Sequence, residues 1–197
     1  MILASSSPRR YELLRQIGLP FDVVPSRVTE DFGEKETPRG HVIRLAEAKA
    51  LDVGAWNTDR WVIGADTIVC INDVIFGKPK TPGESMEMLR CLSGQEHRVF
   101  SGFSVQHVGK GQGTNGAVET VVKMKNLTAE EMSWYLKTGE PSDKAGGYAI
   151  QGMGAFMIES IRGSYTNVVG LPMYELVQTL IRSGAISISE SGIQVLE

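Results

Sequence analysis

From Trp61 to Ile71 the chain is a nearly continuous apolar run interrupted by a single carboxylate, Asp66. Such a run reads as a strand, and a carboxylate buried within it must be paired, protonated or metal-bound. Asn72-Asp73 supplies a two-residue hairpin turn before Val74. Counting back from that turn places Asp66 and Thr67 opposite Pro79 and Lys78, so an ammonium is expected to face a carboxylate. A buried ion pair of this kind adds little stability. With Gly64 and Gly77 flanking it, the arrangement reads better as backbone shaped for a ligand.

Around this strand, strand and helix patterns alternate without an internal repeat, which predicts a mixed α/β or α+β fold. The segment Leu3-Ala4-Ser5-Ser6-Ser7-Pro8-Arg9-Arg10 reads as strand handing over to helix, with Ser7 as N-cap, Pro8 at the first helical position and Gly18 as terminator. Arg9 and Arg10 fall in the first turn, where the helix dipole disfavours cations, so their placement points to a bound anion such as phosphate. Phe21 to Val24 reads as a short strand. Residues 25–36 are polar, acidic and irregular and contain Glu30 and Asp31. Thr37 and Pro38 open a second helix whose stripe is Val42, Leu45, Ala46, Lys49 and Val53. Lys49 on that stripe either extends its ammonium to the rim or delivers a charge to a substrate.

Further along, Thr81 and Glu84 are expected to form a capping box for a helix to Leu92, and Thr128 and Glu131 a second one. Strands are expected around His97 to Val108 and Ala117 to Lys125, joined by an exposed glycine-rich connection over 109–116. The glycine-dense stretch Asp143 to Gly154 reads as a binding loop, because such spacing suits uncommon dihedrals or close approach to a ligand. Gly163 to Pro172 leads into a helix with Leu176, Val177 and Leu180 on its apolar face. The last dozen residues alternate weakly, as an edge strand or a tail would.

The charge balance narrows the function classes. Lys and Arg total 20 against 23 Asp and Glu. That balance gives no reason to expect a nucleic-acid or membrane partner. The apolar runs are too short to span a membrane, and Met1 leads straight into strand and helix, so a cytoplasmic protein is expected. Cys70 and Cys91 lack metal or redox spacing and read as buried free thiols. His41, His97 and His107 share no metal-site spacing and read as surface or strand residues.

Five separated motifs, Ser5-Ser6-Ser7-Pro8-Arg9-Arg10, Gly64-Ala65-Asp66-Thr67, Gly77-Lys78-Pro79, Asp143-Lys144-Ala145-Gly146 and Gly163-Ser164-Tyr165 through Gly170-Leu171-Pro172, resemble the Maf family of nucleotide pyrophosphatases over nearly the whole chain. The resemblance implies one bilobal domain over 1–197, a two-lobed mixed-sheet α/β fold similar to the ITPase fold, and a central cleft. It also implies hydrolysis of nucleoside triphosphates to monophosphate and pyrophosphate with a divalent cation, Mg²⁺ or Mn²⁺, an association with septum formation, and it is compatible with a homodimer. Residue by residue it casts Asp66 as proton acceptor, Ser5, Arg10, Lys49 and Lys78 as phosphate-binding, and Glu30 with Asp66 as metal-binding. Arg9, Thr67 and Gln151 resemble the subgroup acting on dTTP and UTP, whereas the subgroup acting on 7-methyl-GTP carries tryptophan, glutamine and glutamate there. Gln151 offers both a donor and an acceptor, as a pyrimidine edge with carbonyl and imide groups requires. Ser6 departs from the glycine frequent in relatives. The rival expectations are another base preference, such as 7-methyl-GTP, or a non-enzymatic nucleotide sensor.

Overall fold

The computed structural model describes residues 1–33 and 36–196, so positions 34 and 35 of the acidic stretch and the last residue of the tail lie outside the described residues. The elements are β1 (Ile2–Leu3), α1 (Pro8–Gln16), β2 (Asp22–Val23), α2 (Pro38–Gly54), β3 (Val62–Ile71), β4 (Val74–Phe76), α3 (Pro82–Leu92), β5 (Glu96–His107), β6 (Gln112–Met124), α4 (Ala129–Lys137), β7 (Ile158–Arg162), α5 (Tyr165–Val169), α6 (Met173–Arg182), β8 (Ile186–Ser189) and β9 (Gly192–Val195). One sheet has the order β2-β1-β3-β5-β6-β7, with β4 paired to β3 off that path, and β8-β9 form a separate hairpin. β1 is parallel to both β2 and β3, whereas β3–β4 and β6–β7 are antiparallel. The fold is therefore mixed α/β.

The chain divides into two compact units. The first comprises Met1–Asp66, Ser101–Val118 and Gly170–Glu197, and the second Thr67–Phe100 and Glu119–Val169. β3, β5 and β6 each contribute residues to both. In the first unit, α2 lays its apolar face on the parallel strands, where Ile2, Ala4, Ala50, Val53 and Val62 cluster. All five stripe positions read from the sequence are buried, Lys49 included. In the second unit, Val69, Leu89, Leu92, Val122, Met124, Met132, Tyr135 and Met157 belong to a larger core in which α3 and α4 pack against their own portion of the sheet.

The caps show how local chemistry sets the helix starts. Thr37 accepts from Gly40 N–H, and Thr128 and Glu131 close the reciprocal capping box. At α3 the box is displaced by one residue. Thr81 accepts from Glu84 N–H, but the Glu84 carboxylate accepts from Lys80 N–H at 2.6 Å rather than from Thr81. Ser7 occupies the N-cap of α1 with extended backbone, yet its hydroxyl makes no capping bond there; Ser7 N–H instead donates to Ser5 Oγ.

Some further expectations are met only in part. The 109–116 stretch is exposed over 109–115, as expected, but it is a connection only as far as Gly111 (φ +62), where a 3-10 turn ends; β6 begins at Gln112, with Gln106 Nε2 donating to Asn115. Cys91 is exposed, not buried. His41 is neither a surface nor a strand residue but is buried on α2 against Glu36, whereas His97 and His107 lie on β5 as strand residues, His97 bonded to Tyr148 and His107 edge-on to Trp61. The tail is a hairpin, β8–β9, with Ile186 opposite Val195.

Candidate active site

The site in the first unit starts from a missing side chain. A Cβ on Gly64 would lie 2.1 Å from the Ala46 carbonyl oxygen and 2.8 Å from Ala50 N. On β5, a Cβ on Gly102 would lie 2.2 Å from Val42 O. Glycine at these points lets α2 press directly onto the strands, so Gly64 serves helix packing rather than the approach of a ligand. Gly64 and Asp66 share a face of β3, two residues apart. Lys49, in the helical turn lying on Gly64, therefore reaches Asp66.

Lys49 Nζ donates to Asp66 Oδ1 at 2.7 Å and to Glu30 Oε1 at 2.7 Å. The Lys49 and Asp66 side chains are each only 7% exposed, whereas Glu30 is 41% exposed. The buried acid thus has a cation partner on α2. The β3–β4 ladder pairs Ile71 with Val74, Cys70 with Ile75 and Val69 with Phe76, the register expected from the Asn72-Asp73 turn. A helix packed on a strand can present a cation that no strand register reveals.

Arg10 is held as a fork. Its Nε donates to Gly170 O at 2.8 Å, and its Nη1 donates to Ser5 Oγ at 3.1 Å and to Ala65 O at 2.9 Å, one residue before Asp66. Burial pulls the guanidinium below its ordinary value, the charges of Asp66 and Glu30 pull it back, and Arg9 adds to the lowering. An arginine keeps its charge even so. Ser5, Arg10, Lys49, Glu30 and Asp66, separated by up to 61 positions in sequence, belong to one connected cluster.

A latch holds the acidic stretch on α2. The Glu36 carboxylate accepts from Arg44 Nε and Nη2 at 2.7 and 2.8 Å, pairs with His41 at 2.9 Å and accepts from Gly33 N–H. These donors, Arg44 foremost, hold Glu36 down at about 2. Glu36 in turn raises Arg44 above its ordinary value. Arg44 also donates to Asp31 O, one residue from Glu30, and the Phe32 ring stacks on His41 with centroids 4.4 Å apart. At the other end, Asp52 accepts from Ser26 Oγ and Arg27 N–H. Sequence reading passed over Arg44 and Glu36. The usable signal was Arg44 at one helical turn plus one residue before Lys49, on the helix already assigned.

Thr67, Lys78 and Gln151 lie in the second unit: Thr67 directly after Asp66 on β3, Lys78 exposed beyond β4, and Gln151 half-buried in the glycine-dense loop. Arg9 is half-buried in the first turn of α1. The glycine loop is a series of 3-10 turns with left-handed backbone at Gly146, Gly147 and Gly152. A Cβ on Gly146 would sit 2.8 Å from Val69 Cγ2, and Gly146 N–H donates to Gly77 O. Packing and turn geometry therefore account for part of the glycine density.

Among the described residues, no group of three or more His, Cys, Asp or Glu is placed to hold a metal ion. Glu30 and Asp66 nevertheless converge on the single Lys49 ammonium. Two carboxylates completed by phosphate oxygens and water are what Mg²⁺ or Mn²⁺ takes, so the donor set fits a cation shared with a phosphorylated ligand.

The model of the Maf-like protein family matches residues 1–183. A dTTP/UTP pyrophosphatase of Syntrophus aciditrophicus is 50% identical over 189 residues, covering 96% of this chain and 92% of that protein. A dTTP/UTP pyrophosphatase of Syntrophotalea carbinolica is 49% identical, covering 97% of this chain and 88% of that one. Among solved structures, the Staphylococcus aureus Ham1 protein aligns at 14% identity over 92% of this chain and 97% of its own, with a TM-score of 0.45. With a family model spanning all but the last residues and relatives at half identity over nearly full length, this chain belongs to the Maf-like protein family.

Proposed function

We propose that this chain is a nucleoside triphosphate pyrophosphatase that hydrolyses dTTP and UTP, with modified pyrimidine nucleotides as further substrates. The observation behind this reading is the buried Lys49–Asp66 pair beside the Arg10 fork, in a chain half identical to proteins named for that activity. In this mechanism Asp66 accepts a proton from a water whose oxygen attacks the α-phosphorus. The bond from that phosphorus to the bridging oxygen breaks, and pyrophosphate leaves with the electron pair. Lys49 donates to Asp66 Oδ1, which leaves Oδ2 to orient the water. Arg10, Lys49 and Lys78 hold phosphoryl oxygens, with Ser5 adding a hydroxyl, while Arg9, Thr67 and Gln151 read the base.

Glu30 and Asp66 would hold a divalent cation, which when bound supplies charge compensation at the phosphoryl oxygens. Lys49 then turns part of its donor capacity from Glu30 to phosphate. We further infer a cytoplasmic setting, which suits two free cysteines and a nucleotide substrate. No helix among the described residues is long and apolar enough to cross a membrane.

A panel of dTTP, UTP, dCTP, GTP and 7-methyl-GTP with Mg²⁺, read by pyrophosphate release, tests the reading. The expected result is one pyrophosphate per monophosphate, with dTTP and UTP favoured at least about tenfold in kcat/KM over the others. Preference for 7-methyl-GTP would overturn the base assignment, and binding of dTTP without pyrophosphate release would overturn the activity.

A further inference from the structure

Within the second unit, Gln151 is bracketed by a hydrogen-bonded frame that the reaction scheme does not use. Glu140, 11 positions earlier, places its carboxylate against the backbone just after Gln151: Oε2 accepts from Met153 N–H at 3.0 Å and Oε1 from Gly154 N–H at 3.0 Å. Tyr135, from α4 and fully buried, donates its hydroxyl to Glu140 Oε1 at 3.0 Å. The same hydroxyl accepts from Ala149 N–H at 3.1 Å, just before Gln151. The backbone is thereby tied on both sides of Gln151 to one acid–phenol pair.

The loop geometry is built around that pair. Gly152 has φ +69, and a Cβ there would lie 2.7 Å from Glu140 Oε2. On Gly154 it would lie 2.8 Å from the Tyr135 hydroxyl oxygen. Glu140 is fixed in turn, since its N–H donates to Thr138 Oγ1 and its carbonyl accepts from Lys144 Nζ at 2.6 Å. A surface glutamate in search of a partner would have water available. Here it instead gathers two backbone donors and a buried hydroxyl, bonds that charge on the acceptor strengthens.

We propose that Glu140 and Tyr135 are positioning residues that set the carboxamide of Gln151 for base selection. The proposal deepens the reading above and rests on Gln151 contacting the base. Glutamine at 140 would turn an amide donor toward one of the backbone N–H groups, so that arm of the frame is lost. The hydrolytic residues, all in the first unit apart from Lys78, are left as they are. Loosening the frame is therefore expected to appear in KM and in base preference, while kcat is nearly kept.

The test measures kcat and KM separately for dTTP and dCTP in the parent, Glu140→Gln, Tyr135→Phe and Gln151→Ala, alongside amide hydrogen exchange at Ala149, Met153 and Gly154. The expected result for Glu140→Gln is a KM for dTTP raised roughly tenfold, kcat within about threefold, a reduced preference for dTTP over dCTP, and faster exchange at 153 and 154. Tyr135→Phe is expected to do the same more weakly, with faster exchange at 149, and it stands in should Glu140→Gln not fold. If Gln151→Ala lowers the preference but the frame variants keep the parental KM and preference, the frame has no positioning role and the proposal falls alone. A uniform loss of kcat on all nucleotides in the frame variants has the same consequence. If Gln151→Ala leaves the preference unchanged, the assignment of Gln151 fails, and the proposal fails with it.

Discussion

Two carboxylates in this protein are surrounded by donors, and the donors differ in kind. Asp66 meets the side-chain ammonium of Lys49, next to a carbonyl gripped by Arg10, whereas Glu140 meets backbone N–H groups and a buried phenol. A side-chain cation can pass from a carboxylate to an arriving phosphate with a change of rotamer. A backbone N–H cannot be handed over without remaking the loop. The first arrangement suits binding and proton transfer, and the second suits a fixed frame.

The largest disturbance of this contrast is expected from Lys49→Met, which leaves Asp66 buried with its charge uncompensated. We expect a stability loss of about 3–5 kcal/mol by denaturant titration together with loss of pyrophosphate release. Next comes Gly64→Ala, which puts a Cβ into the α2 backbone without touching any charged group. A loss of about 3 kcal/mol is expected, since backbone cannot step aside as a side chain can. Were Gly64→Ala neutral in stability, close packing of α2 would not be what brings Lys49 to Asp66.

A third expectation concerns the second unit. Burial depresses His97, paired with Tyr148, from 6.5 to about 4. The unfolded chain therefore binds this proton first, and the stability His97 contributes is present above about pH 6.5 and lost as pH falls toward 4. The loss amounts to about 2–3 kcal/mol over that window, and it should be absent in His97→Gln when unfolding is followed against pH. Glu36, held at about 2, adds stability above its ordinary value of 4.5 that disappears as pH drops from there toward 2. The smallest effect is expected for Arg44→Gln. It opens a partly exposed ion pair, for about 1 kcal/mol or less in stability, while releasing the stretch that holds Glu30 and so raising the Mg²⁺ concentration needed for half-maximal activity.

Helical periodicity made α2 and its buried lysine legible, because a 3.6-residue stripe is a property of neighbours in sequence. The same local logic found the caps at Thr37 and Thr128 and the turn at Asn72-Asp73, both of whose residues adopt positive φ. It did not pair Lys49 with Asp66, since register counting follows a hairpin and is blind to a helix lying across the strand. Gly64 was misread for the same reason: a glycine required by the backbone of α2 looks, in sequence, like one required by a ligand. Start of β6 at Gln112 escaped notice because glycines at 111, 113 and 116 suggest a loop, although Gly113 and Gly116 give room to Gln106 and Phe103. The Glu140 frame was invisible, as its acceptor and donors are 13 and 14 positions apart and two of the donors are backbone.

The most direct test of the central claim, that Asp66 primes the hydrolytic water while neighbouring cations hold the polyphosphate, is pyrophosphate release from dTTP by Asp66→Asn with folding checked by thermal melting. The account predicts a folded protein that still binds dTTP and whose kcat falls by about 10²–10⁴. A folded variant turning over dTTP at the parental rate would contradict it.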